Sequence, residues 1–234
     1  MNRTLVVARK EIKELLKNKG ILLTALGLAL FFSIFTSVAV SKGSGSASAV
    51  FLNSSVFYLS AMVGLFLAYM SISQIFLREK ADRVIETLLC APLNLRQIWL
   101  GKVLGVSVPA YLLSLLTVLL ITIVSSILSG SLLLPTTSIL IHVLLVLSTL
   151  IAAFTGLLGF AQFRLGMRES RILNFVIFAP LFAGLYGAGY VMGGSFAVSW
   201  THVGILFGIS ALLLVVTAYL TKRLSKERIV TTLP

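Results

Sequence analysis

The chain has 234 residues, of which 58% are hydrophobic and 11% are charged, and its mean hydropathy is +1.06. A soluble domain carries about a quarter charged residues, so this composition excludes an ordinary soluble protein and predicts one membrane domain over residues 1–234. The single Cys90 excludes an internal disulfide.

Residues 1–19 are predicted to form an amphipathic helix. Apolar side chains recur at helical spacing on one face, and charged side chains occupy most of the opposite face. The apolar face consists of Leu5, Ala8, Ile12, Leu15 and Leu16, and the charged face of Lys10, Lys13, Glu14 and Lys17. Such a helix is typical of a segment that lies in the membrane interface, with its lysines toward anionic headgroups.

Six apolar stretches are long enough to cross a bilayer, whose hydrocarbon core requires about 20 apolar residues. They are residues 20–41, 50–77, 98–128, 138–163, 172–193 and 203–221. The third stretch is long for one span and contains Pro109, so we expect a kink or a portion in the interface. The predicted fold class is an all-α membrane protein with six transmembrane helices.

The basic residues are concentrated on one side of this predicted bundle. Of the 19 lysines and arginines, all except Lys42 fall in the terminal segments, in 78–102 or in 164–171. Under the positive-inside rule these segments are cytoplasmic. We therefore predict a multi-pass protein of the cell membrane with both termini in the cytoplasm. The net charge of +12 is then a signal of topology, and nucleic-acid binding is not indicated.

The sequence carries no pattern of an enzyme. The apolar cores of the spans hold no Asp, Glu, Lys or Arg, whereas ion-coupled carriers usually keep such a group at membrane depth. The sequence also lacks a G-x-x-x-x-G-K-[ST] loop, a nucleophile elbow and a metal-ligand cluster. We expect no catalytic residue, metal or cofactor in this chain.

Polar side chains in the spans are candidates to line a translocation path, although such groups commonly join helices to one another. The path candidates are Tyr58, Tyr69, Gln74 and Asn174. His142 and His202, near the outer ends of spans four and six, are expected to make interfacial hydrogen bonds.

The segment 78–97 differs from a simple connection between spans. Glu79 with Arg83 and Arg78 with Asp82 are spaced as helical ion pairs. Pro92 then ends the helix. Asn94 follows as a helix cap, with Gln97 three residues later as in a capping box. Trp99 and Lys102 suit the membrane interface. A helix, a tight break and a second helix would form either a docking projection or a solvated loop.

This run resembles the signature of the ABC-2 type permeases, the membrane subunits of ATP-binding-cassette exporters. The matching elements are Arg78-Glu79-Lys80, Glu86, Leu88-Leu89-Cys90-Ala91-Pro92, Asn94 to Gln97 and Gly101-Lys102. Arg83-Val84-Ile85 stand where the family often has glycine and threonine before the glutamate. The opening ARKEIKELLKNKG and the six-span plan are also similar to the family.

The resemblance implies a six-span permease that pairs with a second permease subunit, as a homodimer or a heterodimer. Each would dock on a separate cytoplasmic ATPase, which holds the ATP and Mg. Residues 1–19 would be the connecting helix and 78–97 the coupling helix. The implied docking residues are Glu86, Thr87, Leu88, Ala91, Pro92, Leu93 and Asn94, with Arg78, Glu79 and Arg83 as charges of the segment.

Two alternatives remain beside a general exporter subunit. Many drug and polysaccharide members of the family carry a proline-rich outer loop and a P-L-T-Y-like run before the last span, and residues 194–202 have neither. This favours haem-exporter-like permeases for cytochrome or cofactor maturation as one alternative. A membrane scaffold or sensor that recruits a cytoplasmic partner without transport is the alternative of a different class.

Overall fold

The computed structural model of the chain describes residues 3–42, 46–82, 94–165, 169, 172, 176 and 197–222. Its elements are α1 Arg3–Lys17, α2 Lys19–Ser41, α3 Ser46–Ala81, α4 Leu95–Ser129, α5 Thr137–Arg164 and α6 Trp200–Thr221. Five of them, α2 to α6, are long and apolar enough to cross a membrane. They confirm the predicted all-helical membrane protein and five of the six spans. The other predicted span, 172–193, lies outside the described residues except for residues 172 and 176.

The helix boundaries follow from local side-chain chemistry. Asn18 separates α1 from α2, and its side-chain oxygen accepts a hydrogen bond from the Ile21 N–H at 3.4 Å. Gly130 ends α4 in the left-handed conformation, with φ of 65°. The turn His142–Val146 inside α5 is π-helical, a local widening that an extra residue imposes on an α-helix. Asn18 and Gly130 thus mark helix ends, whereas the π-helical turn lies within the continuous helix α5.

Helix α4 is the centre of the described bundle, because it packs against α1, α2, α3 and α5. Ser33 and Ser37 of α2 donate hydrogen bonds to the carbonyls of Thr117 and Ile121 at 3.5 and 3.3 Å. The residue numbers increase in both helices from the first hydrogen bond to the second, so α2 and α4 run in the same direction. Helix α6 packs on α5 at the side of the bundle.

Small residues set the closest helix contacts, as is common in membranes. A Cβ atom placed on Gly64 of α3 would lie 2.6 Å from Ile151 Cδ1 of α5. A Cβ atom on Gly156 of α5 would lie 2.8 Å from Thr217 Cγ2 of α6. These positions hold α3, α5 and α6 at distances that a larger side chain would prevent.

The buried side chains form two apolar clusters toward opposite ends of the bundle. One contains Leu15, Ile98 and Trp99, and the other contains Val40 and Val203. We call the first end, which carries α1, the end of α3 and the start of α4, the basic end. The segment 83–93 connects α3 to α4 there and lies outside the described residues.

Candidate functional site

A buried cluster of charged side chains joins three helices at the basic end. Lys102 of α4 is 0% exposed, and its Nζ lies 2.8 Å from Glu11 Oε1 of α1. The same Nζ lies 2.6 Å from the carboxylate of Glu79 of α3. Lys10 of α1 lies 3.7 Å from Glu79 Oε1 and 3.5 Å from Glu14 Oε1. We call Glu11, Glu79, Lys102 and Lys10 the ion cluster.

The environment of the ion cluster shifts two pKa values. Burial raises the pKa of Glu79, and the opposing attraction and hydrogen bond of Lys102 do not cancel this effect. Partial burial lowers the pKa of Lys10, but the negative charges of Glu11, Glu79 and Glu14 outweigh it, so the pKa of Lys10 is raised. The protein therefore holds Lys10 firmly in its charged form, whereas the charge on Glu79 depends on Lys102.

Two glycines of α4 allow α1 to approach the ion cluster. A Cβ atom on Gly101 would lie 2.6 Å from Val7 Cβ, and one on Gly105 would lie 2.5 Å from Glu11 Cβ. Gly101 and Gly105 are four residues apart, so they lie on the same face of α4, on either side of Lys102 in the chain. The close approach brings the short Glu11 side chain within hydrogen-bond reach of the ammonium group.

The side of α1 that is buried differs from the prediction. Ala8 and Leu15 are buried as expected, but Leu5 and Leu16 are exposed at 58% and 57%. The buried stripe runs instead through Val7, Ala8, Glu11 and Leu15. This stripe is buried because it packs on the glycine surface of α4, which Gly101 and Gly105 form, and the neighbouring leucines lie outside this contact. Those leucines remain available to the apolar part of a membrane interface.

The predicted role of Lys102 as an interfacial side chain was wrong, because Lys102 is fully enclosed by protein. Trp99 is also buried and packs on Gly156. Glu79 was expected to pair locally with Arg83, a residue outside the described part; its described partners are Lys102 and Lys10. The sequence signal for this buried site is the G-x-x-x-G spacing of Gly101 and Gly105, which is typical of close contacts between helices.

The borders of the predicted coupling segment are partly described. Arg78 pairs with Asp82 at 3.6 Å on the surface, as predicted. Asn94 precedes α4, and its N–H donates to Gln97 Oε1 at 3.2 Å, which confirms the predicted cap. The remaining proposed docking residues lie outside the described residues; they are Arg83, Glu86, Thr87, Leu88, Ala91, Pro92 and Leu93.

The proposed path residues have different surroundings. Tyr58 and Tyr69 are half-buried in α3, and their separation of three helical turns places them on one face. Gln74 accepts a hydrogen bond from Asn18 at 3.3 Å. It lines a cavity of about 750 Å³ at the basic end, together with Lys10, Lys17, Arg78 and Glu79. Asn174 lies outside the described residues.

The two histidines differ from each other. His202 lies in the first turn of α6, and its Nδ1 atom is 2.7 Å from Ser199 Oγ, as expected for a histidine that is hydrogen-bonded at a helix end. His142 is fully buried instead of interfacial, and its ring centre lies 4.3 Å from that of Phe57. Among the described residues, no group of three or more His, Cys, Asp or Glu side chains could hold a metal ion.

Five apolar helices with a charged helix packed at one end define a multi-pass membrane protein. Residues 9–182, more than half of the chain, match the family described as ABC-2 family transporter protein. The chain belongs to this family and is a membrane permease of the ABC transporter class. No curated protein matches the chain.

Proposed function

We propose that the chain is the permease subunit of an exporter that is driven by a separate cytoplasmic ATPase. The observation that carries the proposal is the family match over residues 9–182. In this assignment the ATPase binds ATP and Mg, and the permease supplies the path through the membrane. A second permease subunit completes the transporter.

The proposed docking site for the ATPase is the segment 78–97. Its two described borders support this assignment, because α3 continues as a helix to Ala81 and α4 begins with a capped turn after Asn94. ATP binding can favour one access state of the permease only if the ATPase interacts differently with the two states, and the segment between these helix ends is where we propose that interaction.

The proposed orientation places the basic end in the cytoplasm. The basic residues of the described part are concentrated at this end; they include Arg9, Lys10, Lys13, Lys17, Lys19, Arg78, Arg96 and Lys102. The opposite end has Lys42 at the end of α2. This asymmetry follows the positive-inside rule.

The test is a pull-down of the tagged chain from its native membranes in mild detergent, with the partners identified by mass spectrometry. A stoichiometric soluble subunit with a phosphate-binding loop is the expected result. A chain recovered alone, or only with further copies of itself, would contradict the ATPase assignment and favour a scaffold or sensor.

The docking site is tested separately with two variants and a matched control. Deletion of 91–94 or Glu86→Ala should remove the ATPase from the pull-down while the chain still inserts in the membrane. Glu169→Ala, an exposed glutamate outside the segment, should retain the ATPase. Unchanged association in the deletion variant would disprove the docking assignment.

A further inference from the structure

The ion cluster links helices that are far apart in the chain. Lys102 is 91 residues from Glu11 and 23 residues from Glu79. Its ammonium group is a donor of three hydrogen bonds, and two of its contacts reach carboxylates on different helices. One side chain thus connects α1 to both helices that frame the segment 83–93.

The packing of α1 makes this connection specific. Helix α1 packs mainly against α4, through the surface of Gly101 and Gly105. Its ionic links to α3 are the contacts of Glu79 with Lys102 and Lys10, and Asn18, directly after α1, donates a hydrogen bond to Gln74 of α3 at 3.3 Å. Apolar packing on a glycine surface resists separation but permits sliding, whereas hydrogen bonds of 2.6 and 2.8 Å restrict both distance and direction.

Stability alone is a weak reason for such a cluster. Burial of charges carries a desolvation penalty, and apolar side chains of similar size often replace a buried ion pair without loss of stability. The attested use of a buried polar group is to select one arrangement of helices over its alternatives.

We propose that Lys102 is a positioning residue of the transport cycle, which holds α1 and the adjoining ends of α3 and α4 as one unit. Helix α1 then moves together with the segment that these ends frame. This inference rests on the proposed function, since that segment is the proposed docking site of the ATPase. Removal of Lys102 should separate the movement of α1 from that of α3.

The experiment measures the distance between α1 and α3 by pulsed electron paramagnetic resonance. Spin labels are placed on the exposed positions Lys13→Cys and Arg78→Cys of the full chain in nanodiscs. Cys90→Ser removes the native thiol. The parent protein should give a single narrow distance, and Lys102→Arg should preserve it.

A second variant separates positioning from stability. The triple variant Glu11→Met, Glu79→Met and Lys102→Met removes the buried ammonium together with both of its carboxylate partners. None of the three is then left buried without its partners, so the variant should keep a near-native melting temperature. It should nevertheless lose the single distance and show a broad distribution. A narrow, native distance in the triple variant would overturn the proposal, since apolar packing would then suffice to position α1.

The complex with the copurified ATPase gives a further comparison. MgATP should leave the distance between the labels unchanged in the parent complex and shift it in the triple variant. An equal shift in both complexes would refute the movement of α1 and α3 as one unit. If no ATPase copurifies, the proposed function fails, whereas the distances in the isolated chain still decide whether Lys102 positions α1.

Discussion

Replacement of Lys102 by methionine should strongly destabilise the basic end of the protein. The substitution keeps an unbranched side chain but leaves the carboxylates of Glu11 and Glu79 buried without their shared ammonium partner. Their side chains are 1% and 9% exposed, so water cannot replace that partner. Removal of one member of a buried ion pair costs about 3–5 kcal/mol. The retained Lys10 lies 3.7 Å from Glu79 Oε1, but it attracts Glu11 only from a longer distance.

The loss of stability should depend on pH in a defined direction. The pKa of Glu79 is already raised above its ordinary value of 4.5 because of burial, and Lys102 is the largest influence that lowers it. Its removal therefore raises the pKa of Glu79 further. Glu79 therefore binds its proton more tightly in the folded protein than in the unfolded chain. Because of this, the free energy of unfolding falls as the pH rises from 4.5 through the raised pKa of Glu79. The difference between Lys102→Met and the parent should be smaller at pH 5 than at pH 8.

Reversible unfolding in mixed detergent micelles measures this effect. Trp99 is buried one helical turn before Lys102, so its fluorescence should report the opening of this end after the exposed Trp200 is replaced by phenylalanine. Lys13→Met removes an exposed lysine of α1 and should change the free energy of unfolding by less than about 0.5 kcal/mol. A loss below about 1 kcal/mol in Lys102→Met, or one equal at pH 5 and pH 8, would refute the reasoning.

Three further substitutions, with Gly204→Leu as a control, test the packing between helices of the bundle. Gly105→Leu should displace α1 and lower the free energy of unfolding by at least about 1–3 kcal/mol, because a Cβ atom alone would lie 2.5 Å from Glu11 Cβ. The displacement should be seen as greater protease cleavage within α1. Gly64→Leu should lower the melting temperature through the contact with Ile151, whereas Gly204→Leu, where no atom lies within 4 Å, should be tolerated. Ser37→Ala should cost only about 0.6 kcal/mol, the average of a hydrogen bond between membrane helices; unfolding in micelles checks this value, and a loss above about 2 kcal/mol would contradict it.

The membrane helices were predictable because their signal is local. An apolar run of about 20 residues in water has few alternatives to a membrane helix, and the predicted 20–41 differs from α2 by only one residue at its start. The end of α3 was harder to place. It extends beyond the predicted residue 77 to Ala81, since the charged pair of Arg78 and Asp82 continues the helix outside the apolar region.

The ion cluster was not predictable from local spacing. Glu79 has Arg83 four residues later, which is a valid helical pair by sequence, but the described structure provides tertiary partners 23 and 69 residues away in the chain. Likewise, the buried stripe of α1, which includes the charged Glu11, overlaps the more apolar face that the spacing predicts. The glycine surface of α4 decides between them, and its position relative to α1 exists only after folding.

Helix α4 is long enough that a small tilt of its first section, before Pro109, moves the start of the helix by several ångströms. Its 35 residues span about 52 Å, well beyond the roughly 30 Å of bilayer hydrocarbon, and Leu95 precedes Pro109 by 14 residues. Pro109 has no N–H to donate to the carbonyl of Gly105, so the ladder of hydrogen bonds is interrupted where α1 also rests. A tilt of roughly 10° about Pro109 would move the start of α4 by about 3.7 Å, given a rise of about 1.5 Å per residue. A small rotation of this section inside the membrane would thus displace the start of α4 far enough to open or close a contact between two proteins.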